Sequence, residues 1–177
     1  MNRLLDLVRG FPGHPSHPPL TDASIGAYTV GVAMLVLGAA DVEKAEMAHG
    51  ALLAISGGLI VALPTALTGL LDWLRIPAGT PRRTVATVHM LTMLSATALF
   101  AVTWLLQRPG YLDGDVRTGA LILGLVAEAV LAAGGYLGGT LTFVYGERVE
   151  GLQDVPIRQA LKPTPSTGAT SEARGGR

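Results

Sequence analysis

Apolar positions along the chain gather into four long runs, at about residues 23–40, 47–74, 84–107 and 118–145, with short polar breaks between them. Each run is apolar all round rather than along one stripe, the pattern of a helix with no aqueous face. A helix needs about 20 apolar residues to span a hydrocarbon core of roughly 30 Å. The first run is the shortest; the second and fourth are long enough to tilt or to extend past the bilayer. With such short connections, neighbouring helices are antiparallel. The pattern predicts an all-α integral membrane four-helix bundle. Thr80-Pro81 supplies an N-cap and a first-turn proline for the third helix. Pro64 falls inside the second, where a kink is expected.

Residues 1–22 are a proline-rich lead. Leu4, Leu5, Val8 and Phe11 recur at helical spacing beside Arg3 and Arg9, which suits a short interfacial helix. As a cleaved signal peptide the lead is too long and too rich in proline. The stretch from Gly13 to Leu20 holds His14, His17 and three prolines, and predicts a stiff, extended segment rather than a helix. The bundle is expected over residues 23–146 and a cytoplasmic tail over 147–177. That tail has room for a short surface helix before a disordered, Pro-, Ser-, Thr- and Gly-rich end from about 163.

Composition sharpens the picture. Of the 177 residues 49% are apolar and 15% charged, with a mean hydropathy of +0.44; a soluble domain carries about a quarter charged residues. Thirteen Lys+Arg balance thirteen Asp+Glu, which argues against a nucleic-acid partner. Cysteine is absent. That excludes disulfides, thiolate zinc sites, cysteine-held iron–sulfur clusters and covalent c-type haem. Any metal has to be held by His, carboxylate or carbonyl groups. Arg3, Arg9, Arg75, Arg82, Arg83, Arg148, Arg158 and Lys162 fall on one side of the membrane. The other side has Lys44, Arg108 and Arg117 among acidic residues. The positive-inside rule then puts both termini in the cytoplasm, and arginine far outnumbering lysine, with plentiful Ala and Gly, points to a bacterial chain and so to the inner membrane. Trp73 and Trp104 fit belts at opposite interfaces.

The polar residues near the spans are the candidate chemistry. Asp72 stands near the C-terminal end of the second helix, where the dipole disfavours a carboxylate and demands a partner. Arg75, Arg82 and Arg83 are the local choices; His14, His17 or His89 are the chemically interesting ones. Antiparallel connectivity places His14, His17, Asp72 and His89 at one membrane face, a candidate site for a divalent metal, for haem, or for a purely structural hydrogen-bond cluster. His49 starts the second helix from the opposite face, on the order of 10 Å or more from His89 along the membrane normal, so these two do not share a haem. Glu128 lies mid-span. A charge there costs roughly 3 kcal/mol on insertion scales, so it is expected to be a neutral acid hydrogen-bonded to a neighbouring Ser, Thr or backbone carbonyl, such as Ser56 or Thr97, or to serve a proton or cation path. Gly134, Gly135, Gly138 and Gly139 form two overlapping small-xxx-small pairs, expected to pack against another helix. No hydrolase triad, phosphate loop or nucleotide fingerprint is present.

Together these motifs resemble a known bacterial family. Gly-His-Pro-x-His-Pro-x-Leu before the first span, Thr68-Gly-Leu-Leu-Asp72-Trp73 closing the second, His89 early in the third, and Gly-Gly-x-Leu followed by Val-Tyr-Gly at the end of the fourth look like domain of unknown function 2231. The resemblance covers about residues 11–149. It implies a four-span membrane domain, in some members joined to Rieske-type or cytochrome domains, and marks His14, His17, Asp72 and His89 as the positions to watch. This chain has no fused redox domain and no asparagine shortly after His89. The expectation is a non-enzymatic accessory module of a membrane redox or respiratory system, in contact with lipid and with a redox partner or a second copy. Its rivals are a small b-type haem protein and a proton or cation transporter using Glu128.

Overall fold

The computed structural model describes residues 7–11, 13–149 and 155–162. The first turn of the expected interfacial helix and the tail beyond residue 162 lie outside those residues. Residues 7–9 are helical, and the chain then makes a small hairpin. Its strands β1 (Gly10–Phe11) and β2 (His14–Pro15) pair antiparallel, with Gly10 opposite Pro15 and Phe11 opposite His14. Four long helices follow: α1 (His17–Ala39), α2 (Lys44–Trp73), α3 (Pro81–Asp113) and α4 (Thr118–Phe143). A single turn, α5 (Ile157–Ala160), comes last. All four long helices are apolar enough and long enough to cross a membrane.

The extended segment expected through Leu20 ends at Ser16, because α1 begins at His17 with Pro18 and Pro19 in its first turn. Proline fits there, since the first amides of a helix have no intrahelical acceptor to lose. Thr80 caps α3 as expected, its side chain accepting from the Arg83 amide at 3.1 Å. Helix α2 continues through Pro64. Just after the proline, Thr65 Oγ1 donates to the Val61 carbonyl at 2.8 Å and Thr68 Oγ1 to the Pro64 carbonyl at 3.0 Å.

Helices α1 with α2 and α3 with α4 form two tight hairpins. Contacts of α2 with α3 and of α1 with α4 close the ring, and the α1/α4 seam is the sparsest. Small residues face inward: Ala48, Ala51, Ala96, Ala120 and Ala127 are fully buried. Large ones such as Leu53, Ile60, Leu63 and Leu91 point out. That distribution suits lipid, where helices associate through close backbone packing rather than by hiding apolar surface. At the centre, Tyr28 of α1 and Phe100 of α3 stack with ring centroids 4.1 Å apart and planes within 1°.

One end of the bundle is closed by hydrogen bonds. Gln107 is fully buried; its Nε2 donates to the Asp115 carbonyl at 2.9 Å, and its Oε1 accepts from the Arg117 amide at 3.1 Å. Outside it, Lys44 Nζ lies 3.0 Å from Asp115, and this ammonium holds the Asp115 carboxyl below the usual carboxylate range. The indoles tie helices together from within: Trp73 Nε1 donates to Thr87 Oγ1 at 2.9 Å and Trp104 Nε1 to Ser56 Oγ at 2.7 Å.

Candidate functional site

At the other end the four helices part around a cavity of about 610 Å³, lined by His17, Tyr28, Asp72, His89, Gly135 and Arg148 among others. Its volume falls within the range of pockets that take drug-sized ligands, roughly 300–1,000 Å³. Most of the remaining lining is apolar, including Ile25, Ala62, Met90 and Met93.

The two imidazoles are held in the same way. His17 Nδ1 meets the Thr65 carbonyl at 3.0 Å and Thr68 Oγ1 at 3.2 Å. Its ring lies over Gly69, where a Cβ would come within 2.7 Å of Cε1. His89 Nδ1 meets the Gly134 carbonyl at 2.9 Å, and its ring lies over Gly138, where a Cβ would stand 3.1 Å from Cε1. In each case the carbonyl belongs to the residue four before the glycine, on the helix that follows in the chain. The match extends further: Tyr28 follows His17 by eleven residues, Phe100 follows His89 by eleven, and these two rings are the central stack. The two hairpins therefore repeat one arrangement. With Nδ1 fixed on a carbonyl, the tautomer places the proton there and leaves Nε2 as the free lone pair, the state of a metal-ligating histidine. His17 is within electrostatic reach of both His89 and Asp72.

Asp72 is engaged by arginines distant from it in sequence. Arg9 Nη2 lies 2.5 Å from Asp72 Oδ1, and both side chains are buried. Arg148 approaches the same oxygen, with its Nε at 3.8 Å. Arg148 Nη2 also donates to the carbonyls of Arg9 and Gly10, at 3.0 and 3.1 Å. These bonds hold Arg148 at φ 61°, a left-handed conformation costing an L-residue about 1–2 kcal/mol. Two of the expected local partners have other roles. Arg83 sits 3.4 Å over the Trp73 ring and donates to the Trp73 and Ile76 carbonyls, while Arg82 pairs with Glu147 at 3.2 Å.

Of the four residues read as one site, His17, Asp72 and His89 line the same cavity. His14 is exposed on β2 and is not among the lining residues. No cluster of three or more His, Asp or Glu side chains suited to a metal ion forms among the described residues. His49 stands apart at the closed end, against Tyr111. Glu128 pairs neither with Ser56 nor with Thr97; its Oε1 accepts from Thr29 Oγ1 at 2.8 Å across the α1/α4 seam. The glycine face divides. Gly134 and Gly138 meet Met93 and His89 of α3, while Gly135 has open space before it and Gly139 nears only Phe143 of its own helix. Both of these glycines line the cavity.

Sequence reasoning missed Arg9 and Arg148 as the partners of Asp72, and it missed the repeat. The spacing of each histidine to an aromatic residue eleven positions on was the available signal.

The comparisons with curated proteins and with solved structures return no match. A family model described as "Predicted membrane protein (DUF2231)" matches residues 13–151, which takes in both helical hairpins and every residue that lines the cavity. By that match the chain belongs to the DUF2231 family of membrane proteins.

Proposed function

We propose that this four-span protein holds a b-type haem between His17 and His89 and serves a membrane redox partner as an electron-transfer accessory, without catalysing a reaction of its own. The observation that carries this reading is the matched pair of imidazoles: one from each hairpin, each Nδ1 on a backbone carbonyl, both at one largely apolar cavity. Two neutral imidazoles suffice for haem, because the macrocycle brings the other four ligands; a bare divalent ion needs a cluster of donors, and none of three or more forms among the described residues. Haem supplies one-electron oxidation and reduction. The chain's part is to fix both rings, to exclude water with Ile25, Met90 and Met93, and to seat the ligand beside the glycine-lined wall of α4. Glu128 is assigned no transport role, since its bond to Thr29 is explained by packing of α1 on α4.

The test is spectroscopic. Protein expressed with haem supplementation and purified in detergent should show a Soret band that His89→Ala removes. A colourless protein overturns the reading.

The membrane is proposed to be the bacterial inner membrane, with the cavity end and both termini cytoplasmic, on the strength of the arginine-rich side. The absence of cysteine gives a clean assay. In intact cells an impermeant thiol reagent should label Val42→Cys, between α1 and α2, and should leave Leu161→Cys unlabelled. The reverse pattern turns the cavity outward.

A further inference from the structure

The charges at the cavity end do not balance around Asp72. Two guanidiniums, Arg9 and Arg148, converge on its single carboxylate. Arg9 takes the close contact, and it is 5% exposed. Arg148 stands beyond hydrogen-bond distance, its Nε is buried, and that nitrogen has no acceptor. Among the other described charges at this end, Arg82 and Glu147 pair with each other, Arg83 lies on Trp73 and donates to two carbonyls, and Asp22 lines the cavity from α1 without an ion pair to Arg148. Among the described residues, Arg148 thus shares its carboxylate with Arg9 and keeps a buried nitrogen without an acceptor. A guanidinium so incompletely paired gains from a further anion. Arg148 itself lines the cavity that His17 and His89 line.

We propose that Arg148, with Arg9 behind it neutralising Asp72, binds a carboxylate of the ligand seated between His17 and His89. The inference deepens the haem reading and rests on it; there the carboxylate is a propionate. No bond is made or broken. Binding joins an ionised carboxylate to a guanidinium whose strained backbone position is fixed by Arg9 and Gly10, and such charge-assisted hydrogen bonds are among the stronger ones.

The experiment compares two porphyrins in the whole, detergent-solubilised protein prepared without haem: haemin, and its dimethyl ester, which has the same ring and iron but uncharged side arms. Wild-type protein should bind haemin at least about tenfold more tightly than the ester, the scale expected for one charged hydrogen bond. Arg148→Gln should erase the preference while both porphyrins still give the low-spin spectrum of two axial imidazoles. Equal affinities in the wild type overturn the proposal and leave the haem reading standing. A low-spin spectrum from neither porphyrin overturns the reading beneath it. The wild-type comparison needs no variant, so it decides the matter even if Arg148→Gln fails to fold.

Discussion

Asp72→Leu should lower the melting temperature of the detergent-solubilised protein by on the order of 10 °C. The substitution leaves the Arg9 guanidinium buried without its 2.5 Å partner. Removing one member of a buried ion pair costs about 3–5 kcal/mol, because the survivor keeps its desolvation penalty and loses its compensation. For a chain of this size each kcal/mol moves the midpoint by roughly 2–4 °C. Arg9→Met together with Asp72→Leu should recover much of the loss, since an apolar pair leaves one fewer orphaned charge. A single substitution that shifts the midpoint by less than a degree would mean that the pair is hydrated and adds little.

Gln107→Leu should be nearly as damaging, at the opposite end. The amide of Gln107 satisfies both the Asp115 carbonyl and the Arg117 amide from a fully buried position. Leucine fills similar space and satisfies neither. A buried backbone group left without a partner costs about 1–3 kcal/mol; these two are half-buried, so together they amount to about 2–3 kcal/mol. Gln107→Glu keeps the acceptor for Arg117 and loses the donor to Asp115, and should fall between leucine and wild type. The ordering of the three melting curves is the measurement. If leucine matches wild type, the α3–α4 connection is held by Lys44 and its own turn rather than by Gln107.

The four helices were legible because a membrane span has to satisfy its backbone internally, which forces length and apolarity onto the sequence itself. Thr80-Pro81 marked one helix start for an equally local reason. The start of α1 was misplaced, since prolines read as extended chain are also at home in a first helical turn, and nothing local separates the two states. The site was half legible. Antiparallel order alone put His17, Asp72 and His89 at one end, but order says nothing of which way a side chain turns, so His14 was grouped with them although it projects outward from β2. Pairings between distant segments were out of reach. Arg9 finds Asp72 because the hairpin folds back over the bundle, whereas sequence proximity favoured Arg75, Arg82 and Arg83. Glu128 does take a threonine hydroxyl, as its depth required, but from Thr29 rather than Ser56 or Thr97, because its rotation toward α1 is set by packing.

The repeated hairpins are alike at their histidines and glycines but not three residues beyond the glycine. There α2 carries Asp72 after Gly69, and α4 carries Leu141 after Gly138. A molecule turned by half a revolution inside the cavity would meet the same two imidazoles, with its charged edge now pressed against Leu141, which is 9% exposed. Near-twofold likeness alone would let a guest lie either way round. The departure from it at Asp72 gives the cavity a front and a back, and so would select one seating over the reversed one.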